Sequence, residues 1–399
     1  MIISDFLIIG GGIIGLSIAR ELKERHPDAS IIVLEKEEKC GLHASGRNSG
    51  VLHAGFYYTA DSLKAKFTRL GNQKLTEYCK SNNIPVNNCG KLVVATKPED
   101  LTQLEELLLR GKNNNVTLHE ITEKEAREIE PRVKTLGKAL FSPNTSSVDP
   151  SKVMQVLTKE ALDIGIRIDH KTRFLNKINQ IVQTTKGNYE SKYVVNVGGL
   201  YADKIARHFG FSKDYCILPF KGLYLYSAEP AGSLKTNVYP VPDLRNPFLG
   251  VHFTVTANGM SKIGPTAIPA FWREQYTGLN NFRLNEFTEL TLRQALLFFN
   301  SCFDFKQLAW QEIRKYSQTH LVKLASALLE NVKASNYKKW GKPGIRAQLL
   351  NIKKNTLEMD FIVEGDHQSI HVLNAVSPAF TCSFPFAEYV CDKIDKLGN

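Results

Sequence analysis

The chain has 399 residues, of which 43% are hydrophobic and 23% are charged, a balance that is ordinary for a folded enzyme and unlike that of a disordered chain. No apolar run approaches the ~18 residues that a membrane-spanning helix needs, and the length predicts two or three domains. The seven cysteines are scattered without a C-x-x-C pair, so we expect reduced thiols, no disulfide and no metal site. The chain enters its first strand almost at once, which predicts a cytoplasmic protein without a signal or transit peptide.

The net charge of +11 is concentrated late in the chain. Between residues 310 and 355, ten basic residues stand against two acidic ones. We do not predict a nucleic-acid partner, because no aromatic–basic groove pattern accompanies this charge. An anionic substrate or a negatively charged lipid surface fits better, and a solvated basic face is the simpler alternative. A peripheral contact with the inner face of the cell membrane therefore stays open.

The first predicted elements are a strand, a glycine turn, a helix and a second strand. Gly10, Gly12 and Gly15 have the G-x-G-x-x-G spacing of a dinucleotide-binding turn. One glycine permits the tight bend, one lets the backbone approach a pyrophosphate, and one lets helix and strand pack closely. The helix N-terminus offers N–H groups to the phosphates, and Glu35 stands where an acid binds ribose hydroxyls. We predict a bound dinucleotide; the alternative is a turn that only packs a βαβ unit.

A polar loop over residues 41–58 follows the second strand. It is dense in Gly, Ser, Asn and His, which is too polar for a core and too irregular for a regular element. Small residues let backbone N–H groups come close to oxygen atoms. We therefore predict that this loop wraps the cofactor.

The rest of the chain contains further predicted helices and strands. Helices are predicted over residues 62–82, 98–112, 123–130, 150–164, 283–303, 310–331 and 384–397. Strands are predicted over residues 91–96, 138–141, 166–174, 180–185, 189–197, 216–227, 250–256, 261–264, 345–351, 357–363 and 370–376. A second strand–glycine–helix junction at residues 194–203 indicates that the first sheet returns to its cofactor after a long insertion.

These elements predict an α/β fold with two domains. The first is a discontinuous, Rossmann-like dinucleotide domain over residues 1–85, 140–210 and 340–399. The second is a substrate-binding domain with a mixed sheet and added helices, over residues 86–139 and 211–339.

Several motifs carry a resemblance to one family. The most specific are the loop over residues 48–58 and the strand over residues 250–253, and the others lie at residues 10–15, 193–203, 219–222, 239–242, 247–249, 264–265, 344–348 and 377–379. Together they resemble the L-2-hydroxyglutarate dehydrogenase/oxidase family, among the D-amino-acid-oxidase-like flavoproteins, over nearly the whole chain. The sequence departs from the family at Lys221, where arginine is favoured, and at residues 381–386, which are bulkier than usual.

The resemblance implies FAD, bound non-covalently in a domain of the glutathione-reductase type. It implies oxidation of L-2-hydroxyglutarate to 2-oxoglutarate, with a hydride passed to flavin N5 and the electrons passed on to a quinone or oxygen. The residues that we predict to bind FAD are Gly10, Gly12, Ile13, Ile14, Gly15, Glu35, Lys36, Ser45, Gly46, Arg47, Asn48, Ser49, Gly50, Phe174, Gly198, Thr381 and Ser383.

The predicted catalytic residues are His53, His252 and Arg346. Oxidising a hydroxy acid needs a base for the hydroxyl proton, and the pKa of histidine suits that work. Either histidine could serve; His53 could instead only shape the cofactor loop, and His252 could be a core residue. Arg346 is predicted to hold one carboxylate, because a guanidinium matches a carboxylate with two hydrogen bonds, although a structural ion pair is the alternative. The other predicted substrate contacts are Tyr57, Tyr58, Lys221 and Tyr239.

Two other functions stay open from the sequence. A related FAD oxidoreductase could act on another 2-hydroxy acid, an amino acid or glycerol 3-phosphate. A flavin-binding regulatory module without catalysis would be a protein of a different class. A dicarboxylate substrate needs a second anion-binding group, whereas a simple amino acid does not.

Overall fold

The computed structural model describes residues 1–244, 248–300 and 305–398. Pro247 of the family motif, Cys302 and the end of the helix predicted over residues 283–303 lie outside the described residues. The six described cysteines form no disulfide with one another.

The described residues form ten α-helices and 22 strands. The helices are α1 Ile13–Arg25, α2 Leu63–Ser81, α3 Asp100–Asn113, α4 Glu123–Ile129, α5 Pro150–Asp163, α6 Ala202–Arg207, α7 Leu284–Asn300, α8 Phe305–Arg314, α9 Gln318–Ala325 and α10 Ser383–Gly398. The strands are β1 Ile2–Ile9, β2 Ile31–Leu34, β3 Val51–Leu52, β4 Lys91–Val94, β5 His119–Thr122, β6 Lys138–Ser142, β7 Ser146–Ser147, β8 Arg167–Asp169, β9 Phe174–Ile178, β10 Ile181–Thr184, β11 Gly187–Asn196, β12 Tyr215–Gly222, β13 Leu225–Tyr226, β14 Asn237–Pro240, β15 His252–Val255, β16 Ser261–Gly264, β17 Ile268–Pro269, β18 Lys339–Trp340, β19 Gly344–Asn351, β20 Thr356–Leu357, β21 Val363–Gly365 and β22 Ser369–Val372.

A parallel sheet carries the glycine turn. Its central strands run in the order β22–β11–β1–β2–β8, all parallel, while β21 and the β9–β10 hairpin add antiparallel strands. Apolar residues of α1, α5 and α10 form one core with this sheet. Because parallel strands end at the same edge, Gly10, Glu35 and Gly198 meet there. The predicted α/β class, with a Rossmann-like domain and a second mixed-sheet domain, is confirmed.

A second, mixed sheet has one apolar face and one polar face. Its order is β18–β13–β16–β15–β14–β4–β6–β5. Side chains alternate along each strand, and one set, including Leu92, Val238 and Phe253, packs with α9 in a buried core. The alternate positions bear Lys91, Tyr239, His252 and Lys262, which are also buried. A polar face made of these residues needs partners other than an apolar core.

A four-stranded sheet, β17–β12–β19–β20, packs against α7 and α8. In the antiparallel pair of β12 and β19, Phe220 lies opposite Arg346 and Lys221 lies opposite Ile345. The predicted division at residue 340 would separate β19 from this partner strand. The domain boundaries therefore stay a prediction.

Several predicted elements are wrong in their extent. The strand predicted over residues 166–174 is divided between β8 and β9, and the strand predicted over residues 216–227 is divided between β12 and β13, which belong to different sheets. The helix predicted over residues 310–331 is divided between α8 and α9, because Ser317 starts a new helix by accepting the N–H of His320. The strand predicted over residues 357–363 is interrupted between β20 and β21. There the carboxylate of Asp360 accepts the backbone N–H groups of Leu63 and Lys64 at 2.7 and 3.0 Å, so it caps α2 and does not pair in a sheet.

Candidate active site

A cavity of about 1050 Å³ lies at the carboxyl ends of the parallel strands and extends to β19. Ligands of open α/β sheets bind at this edge, and the volume is at the upper end of the usual range for small-molecule sites. The predicted residues that line it are Gly10, Gly12, Ile13, Ile14, Gly15, Glu35, Lys36, Ser45, Arg47, Asn48, Ser49, His53, Phe174, Gly198, Arg346 and Thr381. The structure thus brings most of the predicted cofactor residues to one cavity.

The glycine turn leaves no space for side chains. Gly10 has φ +123°, and a Cβ there would lie 2.5 Å from the carbonyl oxygen of Val197. A Cβ on Gly15 would lie 2.0 Å from the carbonyl oxygen of Gly10. Gly12, the N-cap of α1, provides no side-chain cap, and Ile13, Ile14 and Gly15 of the first helical turn line the cavity. This cradle fits the pyrophosphate of a dinucleotide such as FAD.

Glu35 is fixed at the cavity wall by two backbone hydrogen bonds. Its carboxylate accepts the N–H groups of Gly11 at 3.0 Å and Glu37 at 2.9 Å. Burial raises the pKa of this carboxyl group, and the hydrogen bond from Glu37 opposes the rise. The position and orientation suit a group that accepts hydrogen bonds from ribose hydroxyls.

Lys36 lies beside a group of possible metal ligands. Glu37, His43 and Glu274 have ligand atoms within 4.8 Å of one another. Lys36 already contacts Glu274 and Glu37, and His43 hydrogen-bonds Glu37 at 2.9 Å. These groups therefore satisfy one another, and we assign them no metal.

The loop after β2 is held by its own hydrogen bonds. Ser45 Oγ accepts the Ile13 N–H at 2.9 Å, and the Asn48 amide donates to the Ser45 carbonyl at 2.7 Å. Arg47 donates to the carbonyl oxygens of Leu42 and Pro343. The loop thus joins the glycine turn to the segment before β19.

Three predicted cofactor residues are not part of the cavity wall. A Cβ on Gly46 would lie 2.4 Å from the Gly41 carbonyl oxygen, and Gly50 has φ +79°, so both glycines serve the fold of the loop. Ser383 is buried in the first turn of α10. Its neighbour Thr381 does line the cavity, and its hydroxyl accepts the backbone N–H of His53 at 3.2 Å.

His53 lies at the end of the cavity nearest the mixed sheet. The residue is 8% exposed, and its Nδ1 has no hydrogen-bond partner among the described residues. Burial, followed by electrostatic repulsion from Lys91, His252 and Arg346, holds the pKa of His53 well below its usual value. The imidazole is therefore neutral near pH 7 and can accept a proton.

His252 lies on the polar face of the mixed sheet. Its ring stacks on Tyr239 with 3.6 Å between centroids. Its Nδ1 is 2.7 Å from the Gly250 carbonyl; since a carbonyl only accepts, Nδ1 carries the proton and Nε2 can accept. Burial also holds the pKa of His252 well below its usual value. His252 is not among the residues that line the cavity.

Arg346 borders the cavity from β19. Its guanidinium lies 5.5 Å from the Phe248 ring centroid, and no carboxylate of the described residues forms an ion pair with it. Burial raises the pKa of Tyr58 beyond its usual range, and the charge of Arg346 opposes this rise, so the two side chains share one region. An unpaired guanidinium at a cavity wall is suited to binding an anion.

Lys221 does not share that region. Directly opposed residues of an antiparallel pair project to the same face, so Lys221 projects with Ile345 and away from the face of Arg346. Burial alone accounts for the lowered pKa of Lys221. The structure does not support the prediction that Lys221 and Arg346 bind the same substrate molecule.

Sequence reasoning missed two buried lysines of the polar face. Burial lowers the pKa of Lys91 to about 7 and that of Lys262 to about 8. Lys262 donates to the Ser49 carbonyl at 3.1 Å. The sequence did contain a signal for both residues: each lysine begins or interrupts an apolar strand. Such strands seldom bury an ammonium group, so a lysine there indicates a possible functional role.

Comparisons with known proteins agree with this architecture. The family described as FAD dependent oxidoreductase (DAO) matches residues 5–393. The chain is 35% identical to the mitochondrial L-2-hydroxyglutarate dehydrogenase of Nematostella vectensis, over 98% of this chain and 90% of that protein. It is 32% identical to the L-2-hydroxyglutarate dehydrogenase of Escherichia coli K12, over 98% and 93% of the two chains.

Solved structures show the same fold. One is the dithionite-reduced, FAD-bound L-alpha-glycerophosphate oxidase of Mycoplasma pneumoniae, with a TM-score of 0.79, 22% identity and coverage of 99% of this chain and 95% of that one. Another is the glycine oxidase of Geobacillus kaustophilus, with a TM-score of 0.75, 19% identity and the same coverage. At these identities the likeness shows the fold alone.

Proposed function

The chain belongs to the family of FAD-dependent oxidoreductases that includes the L-2-hydroxyglutarate dehydrogenases, and we propose that it oxidises L-2-hydroxyglutarate to 2-oxoglutarate. The predicted family, FAD cofactor and class of enzyme, acting on a CH–OH group, are confirmed. The observation that carries the choice of substrate is that one cavity has in its lining both the buried His53, whose pKa burial lowers, and Arg346, with which no carboxylate of the described residues forms an ion pair. A 2-hydroxy acid presents the hydroxyl and the carboxylate that these two residues suit.

In this proposal FAD, held non-covalently by the glycine turn and the loop after β2, supplies a two-electron acceptor for the substrate. Arg346 orients the C1 carboxylate through paired hydrogen bonds. His53 accepts the hydroxyl proton. Its backbone N–H bond to Thr381 fixes its position, and the residue is 8% exposed.

We assign the base to His53 and a positioning role to His252. His53 lines the cavity and has a ring nitrogen without a partner among the described residues, whereas His252 is stacked on Tyr239. His53→Asn should slow flavin reduction by about 10²- to 10⁴-fold, the usual contribution of a general base. His252→Asn should change substrate affinity more than the rate at saturation. The opposite pattern would make His252 the base.

Anaerobic reduction of the purified holoprotein tests the substrate. L-2-hydroxyglutarate should bleach the flavin absorbance band rapidly, and the D isomer should not. No bleaching by either isomer would reject this substrate and direct the search to glycerol 3-phosphate, amino acids and other 2-hydroxy acids. A flavin that no substrate of these classes reduces would favour the regulatory module without catalysis.

We also propose a quinone or oxygen as the electron acceptor and a peripheral contact with an anionic membrane. No described helix is long and apolar enough to span a bilayer. However, α7 and α8 expose large apolar side chains, including Leu292, Phe299 and Trp310. The exposed Lys306 and Arg314 lie on α8, so apolar and basic groups occur together as at a lipid surface.

Sedimentation with liposomes tests the membrane contact. The protein should sediment with anionic vesicles at low salt and be released as salt screens the charges. Trp310→Ser should weaken the association without changing flavin reduction. If the protein stays in the supernatant at low salt, the membrane proposal is wrong.

A further inference from the structure

Lys91 is a fully buried lysine for which the described residues offer no ionic partner. It begins β4, has 0% exposure, and its Nζ has no hydrogen-bond acceptor among the described residues. The ring centroids of Tyr239, Tyr57 and Phe56 lie 4.3, 5.1 and 5.6 Å from the Nζ atom. These aromatic faces stabilise a cation only in part. A buried ammonium in an unliganded protein is costly, so its presence suggests that it binds an anion.

The position of Lys91 connects it to the proposed reaction site. β4 pairs with β14 in parallel, with Val93 opposite Tyr239, so Lys91 and Tyr239 belong to the same sheet face. His252 is stacked on Tyr239. The charge of Lys91 is the largest electrostatic contribution to the lowered pKa of His53 after burial. Arg346 lines the cavity and Lys91 does not, and the charges of both residues lower the pKa of His53.

A second unpaired polar group lies in this part of the protein. The Tyr57 hydroxyl is buried without a hydrogen-bond partner among the described residues, and its ring is one of the three beside Lys91. An ammonium and a hydroxyl are both donors to a carboxylate. The surrounding rings of Phe56 and Tyr239 would contact an apolar methylene chain.

We propose that Lys91 is the second anion-binding residue and that it holds the distal carboxylate of a dicarboxylate whose C1 carboxylate is held by Arg346. This inference rests on the proposed function, since it extends that site to the C5 end of the substrate. Lys91 thereby determines specificity for a diacid over a monocarboxylate.

Binding of unreactive acids to the oxidised holoprotein tests this assignment. Glutarate carries both carboxylates, and pentanoate has the same chain length with only one. The flavin absorbance spectrum reports the affinity of each acid. In the unmodified protein, glutarate should bind at least about 10-fold more tightly than pentanoate, because only glutarate has a second carboxylate to accept hydrogen bonds from a charged group.

Lys91→Met should weaken glutarate binding by about 10- to 100-fold and leave pentanoate binding unchanged. Lys91→Gln serves as a second neutral variant if the methionine variant does not fold. The exposed Lys97→Met is the matched control and should bind both acids as the unmodified protein does. Equal glutarate affinity in the Lys91 variants and the unmodified protein would overturn the inference.

The same measurements separate failure of the inference from failure of the proposed function. If L-2-hydroxyglutarate reduces the flavin but the Lys91 variants keep their preference for glutarate, the assignment of Lys91 is wrong and the function stands. If L-2-hydroxyglutarate does not reduce the flavin but glutarate selectivity depends on Lys91, the diacid site stands and the reaction must be revised.

Discussion

Removing the charge of Lys91 should stabilise the protein in the absence of a diacid. Burial lowers the pKa of Lys91 from 10.5 to about 7. At about 1.4 kcal/mol per pKa unit, charging this residue costs the folded state roughly 5 kcal/mol. Among the described residues no carboxylate pairs with Lys91, and burial raises the pKa of the neighbouring Cys89 thiol. Lys91→Met removes the cost while keeping a side chain of similar length.

The lowered pKa of Lys91 determines how its contribution to the free energy of unfolding changes with pH. Between pH 7 and 10.5 the unfolded state binds more protons at Lys91 than the folded state, so this residue makes stability rise with pH. Below about pH 7 both states are protonated and the full cost is present. The advantage of Lys91→Met should therefore be largest, up to roughly 5 kcal/mol, at or below pH 7, and should shrink towards pH 10.

Urea unfolding of both holoproteins between pH 6 and pH 10 measures this difference. Lys262 and Lys64, whose pKa values burial also lowers to about 8, are present in both proteins and their contributions cancel. Glutarate should stabilise the unmodified protein more than the variant, because only the unmodified protein binds the second carboxylate. A stability difference that does not vary with pH would refute the claim that Lys91 is buried without a partner.

Three further outcomes follow from the same structure. Gly15→Ala should yield protein with little bound flavin, measured as absorbance per chain, because its Cβ would lie 2.0 Å from the Gly10 carbonyl oxygen; full flavin content would contradict the cradle. The lowered pKa of His53 should keep kcat/KM constant as pH falls through 6.5, with the loss only at lower pH; a loss centred at 6.5 or above in anaerobic flavin reduction would count against His53. Asp203→Asn should lower the free energy of unfolding by about 3–5 kcal/mol, because it breaks a fully buried ion pair with Arg273. Urea unfolding measures this change, and a loss under about 1 kcal/mol would contradict a stabilising role for the ion pair.

The sequence located the cofactor end of the site because that end depends on local geometry. Gly10, Gly15 and Glu35 lie within one βαβ unit, so their spacing along the chain almost fixes their positions in space. Spacing along the chain did not decide the positions of residues that were predicted to bind the cofactor from their residue type alone. Gly46 and Gly50 are turn glycines in the right loop, but they face the protein and not the cavity.

The substrate end was decided by strand pairing between distant parts of the chain. A one-residue shift in a strand moves a side chain to the other face, and only the register of β12 with β19 shows that Lys221 projects away from Arg346. In the sequence, Lys91 is a charged residue at the start of an apolar run, where an exposed side chain is the usual expectation. Its burial depends on β14 and the loop before α2, which place the rings of Tyr239 and Tyr57 beside its Nζ atom. The sequence by itself therefore determined the family, the cofactor and the glycine turn, whereas the tertiary structure decided which cations lie near His53, because burial and register depend on contacts made far along the chain.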